Sequence, residues 1–245
     1  NHAGASKHGG VLVLAGDDHG AKSSTLPHQS DHQFSAALMP VLYPSSVQEI
    51  LDLGLHGWAM SRYSGCWVGF KCVADTVESS ASVYIDPDRT PTVVPDDFPL
   101  PPDGLSIRWP DPFLATEVRM QSYKVYAALH YCRVNRLNRI VIDSPRPRLG
   151  IITSGKSYLD VRQALADLGI TDADAAEIGV ATVDRREVDA VEQKAVHRAL
   201  QDHPRREDAA GSGPSERPQG VGFRPRCRTE RLGGLGGMRV AAEVV

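Results

Sequence analysis

Two short apolar runs, Val11-Leu12-Val13-Leu14 and Leu149-Gly150-Ile151-Ile152, constrain this chain more than any other feature. Each is too short for a buried helix, and each empties into polar, turn-forming residues. Helical patterns follow both. Strand, loop and helix in that order point to α/β architecture built on parallel sheets. Open sheets of that kind place ligands at the carboxyl ends of their strands. The first run empties into Gly16–His32, which holds three histidines, three aspartates, Lys22 and Gln29. That loop is the prime candidate for a site.

Further elements follow from pattern. Residues 10–15 read as a buried strand and 16–33 as its loop. Pro40-Val41-Leu42-Tyr43-Pro44 reads as a short strand fenced by prolines. Ser46-Val47-Gln48-Glu49 has the form of a capping box, in which a hydroxyl and a carboxylate satisfy helix N–H groups reciprocally. The helix it opens carries Val47, Ile50, Leu51, Leu55 and Trp58 on one expected buried face. Gly54 and Gly57 count against its regularity. Residues 65–79 read as another helix and Ala81–Ile85 as an alternating strand. The proline-rich 87–112 is a connection. A long helix is expected over 113–136, with Val118, Val125, Leu129 and Cys132 as its stripe. Ile140–Ile142 reads as a strand and Pro145–Arg148 as an interdomain linker. Leu149–Thr153 is a strand, with Ser157 capping a helix that runs to Leu168. Residues 184–202 have the composition of a charged helix. From Pro204 the chain is Arg, Gly, Pro and Ser without pattern, a composition that does not offset chain entropy by burial.

The 245 residues carry 41% hydrophobic side chains and a formal net charge of −3, which gives no whole-chain case for nucleic-acid binding. The four cysteines, Cys66, Cys72, Cys132 and Cys227, form no Cys-x-x-Cys pair. They suggest neither a cluster site nor a disulfide framework, so a cytoplasmic setting is the expectation. No apolar run approaches the ~20 residues of a membrane helix, and no secretory signal is visible. The chain starts at Asn1 as if inside a domain, which suggests a fragment.

Gly150–Ser157 matches the phosphate-loop pattern G-x-x-x-x-G-K-[ST]. A phosphate cradle needs exposed backbone N–H groups between its glycines, and here Ile151 and Ile152 belong to a strand. A strand-to-helix turn is the better reading, with nucleotide binding as a rival. Gly20-Ala21-Lys22-Ser23 lacks the Gly-Lys pair. Asp17, Asp18, His19, His28, Asp31 and His32 are metal-compatible types, with His28 and His32 a possible helical pair, but their spacing fixes no geometry and no metal ligand is assigned. Cys66 has no base placed beside it and reads as packing. Arg62 either binds an anion or caps helix carbonyls.

Together these stretches resemble a known family. Gly16–Asp31 (Gly-Asp-Asp-His-Gly-Ala-Lys-Ser-Ser-Thr-Leu-Pro-His-Gln-Ser-Asp), Met39–Pro44, Gln48-Glu49, Gly54–Lys71 and Gly150–Tyr158 are similar to the indolepyruvate ferredoxin oxidoreductases, in their long fused bacterial form. The resemblance runs in consistent order from residue 1 to about 178. It implies an enzyme that uses thiamine diphosphate, Mg²⁺ and iron–sulfur clusters. The reaction implied is oxidative decarboxylation of indolepyruvate or a related 2-oxo acid to an acyl-CoA. Its partners would be the 2-oxo acid, coenzyme A, ferredoxin and the remaining enzyme domains, in a homodimer when complete. The implied organisation is 1–143 as the later part of a thiamine-pyrimidine-binding domain, 144–180 as the start of a transketolase C-terminal-like domain, and 181–245 unassigned. Asp17, Asp18, His19, Lys22, Ser23, Ser24, His28, Gln29 and Arg62 become candidates for contact with substrate or cofactor. Lys22 or a histidine would pair with the substrate carboxylate.

The departures are as specific as the match. The family's activating glutamate is expected upstream of Asn1, so no catalytic residue is assigned. The Gly-Asp-Gly motif that holds diphosphate and Mg²⁺ is absent, as are cluster cysteines. Beyond about 180 the resemblance stops where the composition changes, as at a shifted reading frame, a misassembled gene end or a disordered tail. The fragment is therefore expected to be inactive alone. A nonenzymatic remnant or interaction module that keeps part of the fold is the alternative.

Overall fold

The structure is a computed structural model that describes residues 1–188 and 239–241. It is α/β, with two four-stranded sheets. In the first, β1 (Leu12–Asp17), β3 (Val68–Val73) and β2 (Val41–Leu42) run parallel in that spatial order, and β7 (Glu187–Val188) adds antiparallel to β2. In the second the order is β4 (Arg139–Ile142), β6 (Val180–Asp184), β5 (Leu149–Thr153) and β8 (Arg239–Ala241). There β6, β5 and β8 are parallel and β4 is antiparallel. The helices are α1 (Asp31–Ala36), α2 (Val47–Ser64), α3 (Ala74–Val77), α4 (Phe113–Arg119), α5 (Val125–Val134), α6 (Lys156–Asp167) and α7 (Asp172–Ile178). None of the helices among the described residues is long and apolar enough to cross a membrane.

The strand β3 corrects the helix expected over 65–79. It lies between β1 and β2, and five of its six residues are buried. A strand covered on both faces has no reason to alternate, so its sequence carries no period-2 signal. Only the four residues of α3 within that span are helical. The strand expected at 81–85 is absent: those residues have no regular structure.

The buried face of α2 is a second correction. Leu51, Leu55 and Trp58 are exposed, and the helix turns Leu53, His56, Gly57, Met60, Ser61 and Ser64 inward. The reason is close approach to the sheet. A Cβ on Gly57 would stand 2.5 Å from Leu12 Cδ2, so small residues let the helix settle where larger ones would hold it off. The main core joins Leu42, Leu53, Met60, Val68 and Phe70 to Ala128, Tyr131, Cys132 and Leu137. The capping box at Ser46 is half formed. Ser46 accepts the Glu49 N–H at 3.3 Å, but the Glu49 carboxylate turns to the Ser45 N–H and hydroxyl at 2.9 and 2.7 Å.

The helix expected over 113–136 spans α4, one π-helical turn (Met120–Lys124) and α5. Val125 and Cys132 are buried as expected, but Val118 is exposed, because the π turn shifts the buried face. The α6 helix begins at Lys156 on Gly155, one residue before the expected cap at Ser157. Of the charged helix expected over 184–202, the described part is not helical. Asp184 ends β6, and Glu187–Val188 is β7. The remainder lies outside the described residues. Within the span expected to be patternless, residues 239–241 form β8, and the rest likewise lies outside.

The chain crosses from the second sheet to the first through 184–188. Tyr43 N–H donates to the Arg186 carbonyl at 2.8 Å, and β7 then pairs with β2. Arg186 also bridges Asp184 (3.0 Å) and Glu49 (2.6 Å). The boundary expected between 143 and 144 runs between β4 and β5, which lie in one sheet.

Candidate functional site

The carboxyl end of β1 runs two residues further than expected and delivers Asp17 and Asp18 side by side, both buried. They organise the following loop in two halves. Asp18 gathers the backbone N–H groups of Lys22, Ser23 and Ser24 at 2.9, 2.7 and 2.8 Å. Those hydrogen bonds hold its carboxyl down to about 2. A bridge between Asp18 and His28 closes the loop at its base. Asp17 accepts the Ser30 N–H at 3.0 Å and hydroxyl at 2.6 Å, with His28 Nδ1 at 3.2 Å. Burial alone would raise its pKa. The Ser30 hydrogen bonds, Lys71 and His28 outweigh it and leave the carboxyl below its ordinary value. The loop thus converts a strand end into a fixed polar rim, using two carboxylates as hydrogen-bond hubs.

Lys71 is the residue that sequence reading missed. It sits in β3 and is 2% exposed. Its Nζ lies 2.7 Å from Asp31 Oδ2, 3.5 Å from Asp17 Oδ2 and 3.3 Å from His19 Nε2. It also stands 4.5 Å from the centre of the Tyr43 ring, in cation–π range. One atom from each of Asp17, His19 and Asp31 lies within 4.8 Å of the others, a spacing open to a metal ion. The Lys71 ammonium stands among those atoms and serves as their cation. A lysine within an apolar run, four residues after the Gly65-Cys66-Trp67 turn, gives no sign of this. The signal was the excess of acidic side chains in the loop, which called for a buried base nearby.

The structure brings Asp17, His19, His28, Asp31 and Lys71 together. Lys22 turns outward to pair with Asp75, which raises its pKa. Ser23 and Ser24 donate their backbone N–H groups to Asp18, the Ser23 hydroxyl adding a contact at 3.3 Å, and Gln29 lies half-buried between the bridge and α1. The His28/His32 pair does not form: His28 lies in the bridge and His32 on α1. Arg62 donates Nε to the Gly9 carbonyl at 3.0 Å, neither capping its own helix nor joining the loop. With Leu55, Trp58 and Thr90 it lines a cavity of about 450 Å³. Gly150–Thr153 are strand, so the phosphate-loop pattern has no cradle, and Lys156 pairs with Asp160 at 2.7 Å. Cys66 is fully buried, and burial pushes its thiol up to about 11, which suits packing rather than nucleophilic attack.

Parallel strands whose carboxyl ends open into a built polar rim define an α/β fold. The description "Indolepyruvate ferredoxin oxidoreductase middle domain" matches residues 138–200, which begin at the second sheet. The chain is 25% identical over 167 residues to "Indolepyruvate oxidoreductase subunit IorA" of Methanothermobacter thermautotrophicus, a match covering 66% of this chain. Over these matched stretches the chain is similar to the indolepyruvate ferredoxin oxidoreductases. It spans only about a quarter (26%) of that relative's length. Among solved structures it is similar to a 2-oxoglutarate:ferredoxin oxidoreductase of Magnetococcus marinus with 2-oxoglutarate, coenzyme A and succinyl-CoA bound. That similarity has a TM-score of 0.43 at 14% identity, over 71% of this chain and 36% of the other.

Proposed function

We propose that this chain is part of an enzyme that oxidatively decarboxylates indolepyruvate or a related 2-oxo acid to an acyl-CoA and passes the electrons to ferredoxin. Its first unit supplies the substrate-side wall, and the second begins at about residue 138, where the family match and β4 both start. The observation that carries this reading is the rim fixed by Asp17 and Asp18 at the carboxyl end of β1, within a chain similar to this family.

Thiamine diphosphate does not fit the residues of this chain by themselves. The sequence has no Gly-Asp-Gly motif, and the cation place among Asp17, His19 and Asp31 is taken by Lys71. Diphosphate, Mg²⁺ and the iron–sulfur clusters belong, on this reading, to the remaining domains, which are also the main partners, with a homodimer as the complete form. What this chain does is hold the rim. Lys71 neutralises two carboxylates so that β1 can end in buried charge, and Asp18 freezes the turn that presents Lys22, Ser23 and Ser24. His28, and Lys22 once its exposed pair with Asp75 opens, then meet the substrate carboxylate. The free thiols of Cys66, Cys72 and Cys132 support a cytoplasmic setting.

The test is 2-oxo-acid-dependent reduction of a viologen dye. The chain alone is expected to give none, and the enzyme assembled with the missing domains is expected to give coenzyme A-dependent reduction. An assembled, cofactor-loaded enzyme that reduces no dye with any aryl or aliphatic 2-oxo acid would remove the proposal and favour the interaction module.

A further inference from the structure

We propose that the cavity beside Trp58 and Arg62 is a binding site for an apolar monocarboxylate, at the end of the first sheet opposite the Asp17 rim. Its place follows from topology. Gly9 lies just before β1, and α2 runs back from the end of β2 to the start of β3. The C-terminal half of α2, which carries Leu55, Trp58 and Arg62, therefore lies toward the amino ends of the strands. The length of β1, roughly 17 Å at ~3.3 Å per residue, separates that end from the rim. A ligand held here lies too far from the rim to react there.

The cavity has two fixed walls. Leu55, Trp58, Ala59 and Arg62 recur at helical spacing on the outer face of α2 and form the first. The chain at Gly9-Gly10 is pressed against it. Gly10 has φ of +84°, and a Cβ there would stand 3.0 Å from Trp58 Cε3 and 3.5 Å from Arg62 Cγ. Pro87 and Thr90 belong to the second wall, which is tied to α2 through Asp52. Arg89 donates Nε and Nη2 to that carboxylate at 3.3 and 3.0 Å, and the Thr90 hydroxyl donates to it at 3.2 Å. The enclosed volume, about 450 Å³, is that of a small-molecule site. Leu55 and Trp58 remain 52% and 41% exposed, apolar surface that a ligand would cover.

Charge complementarity names the rest of the ligand. Arg62 is the one charged residue of the lining among the described residues. Its Nε is held on the Gly9 carbonyl at 3.0 Å, which orients the guanidinium, and it makes no ion pair among the described residues. The Asp52 carboxylate behind Thr90 is already answered by Arg89. The Nη groups of Arg62 thus offer paired N–H donors in the geometry that a carboxylate accepts. One cation matches one negative charge. The second charge of a phosphate ester would be left unmatched beside Trp58, Leu55 and Pro87, which favour an apolar body instead. This inference does not rest on the reaction proposed above, because it asks only for an apolar acid at the far end of the sheet.

The experiment titrates the full chain, labelled with ¹⁵N, with 4-phenylbutyrate, its neutral amide 4-phenylbutyramide, and butyrate at constant ionic strength. 4-Phenylbutyrate is expected to shift the Trp58 indole N–H saturably, with the amide and butyrate each weaker by about tenfold or more. Arg62→Met keeps the apolar stem and should weaken the acid by about tenfold while leaving the amide unchanged. Leu55→Glu sets a like charge in the cavity from an exposed helical position. It should weaken the acid likewise, and it keeps the test decisive if loss of the Gly9 contact unsettles Arg62→Met. Acid and amide binding alike, or butyrate binding as tightly as 4-phenylbutyrate, would overturn the proposal. So would shifts that do not saturate or that centre away from Trp58, and acid binding that persists unweakened in a folded variant.

Discussion

Asp17 and Asp184 each close a strand, β1 and β6, and their side chains are sealed almost equally at 0% and 1% exposed. Their carboxyl groups are nevertheless displaced in opposite directions. On Asp17 both oxygens are served: Oδ1 by the Ser30 hydroxyl and His28, Oδ2 by the Ser30 N–H and Lys71. On Asp184 Arg139 and Arg186 crowd one oxygen at 3.2 and 3.0 Å, while Oδ1 has no partner among the described residues. Burial then wins over the two arginines and raises the Asp184 pKa, whereas hydrogen bonds win at Asp17 and lower it. Deeper surroundings and fewer donors at Asp184, against a full set of donors at Asp17, give opposite charge preference. The first carboxylate builds a site, and the second stitches one sheet to the other.

The largest break in this comparison is expected from Lys71→Met. It strands Asp17 and Asp31 without their cation, and urea denaturation should read a loss of about 3–5 kcal/mol. Retained stability would mean that Lys71 is not what neutralises the rim. Asp17→Asn should cost about 2 kcal/mol by disturbing donors on both oxygens, and Asp184→Asn less than about 1 kcal/mol. Equal costs in the same assay would erase the contrast.

The pH dependence sharpens it. A group lowered from 3.8 in the folded state contributes stability above 3.8, and loses it as pH falls through the folded value. Asp17 follows that sign. Asp184 has the reverse: raised from 3.8, it withdraws stability as pH rises from 3.8 through its folded value. Acid unfolding curves should therefore flatten in Asp17→Asn and steepen in Asp184→Asn, and the same change in both would contradict the assignment. The smallest effect belongs to Lys22→Ala. Its side chain is 61% exposed, and removal of the Asp75 pair should leave the urea midpoint close to that of the parent.

Sequence showed the strand that leads into the rim because Val11–Leu14 is short and bounded by turns. It showed β5 for the same reason, and the strand at Ile151–Ile152 excluded a phosphate cradle. It did not show β3, because a central parallel strand alternates with nothing. The buried face of α2 was hidden because Gly57, Ser61 and Ser64 bury by being small, while pattern reading follows large apolar residues. The candidate loop was visible as a cluster of residue types. Its hub was not, since Lys71 lies 40 residues beyond Asp31 and meets it only through the parallel register of β1 with β3. Asp184 gave no local sign either, because its partners Arg139 and Arg186 are joined to it by sheet pairing and a turn.

The most direct measurement places Lys22→Ala and His28→Ala in the complete enzyme, loaded with its cofactors, and determines kcat and KM for the 2-oxo acid. If the rim of Gly16–His32 faces substrate, KM rises about tenfold or more while thermal unfolding of the enzyme stays close to that of the parent, as expected for loss of a charge-assisted contact. An unchanged kcat and KM in a folded, loaded double variant would contradict the account.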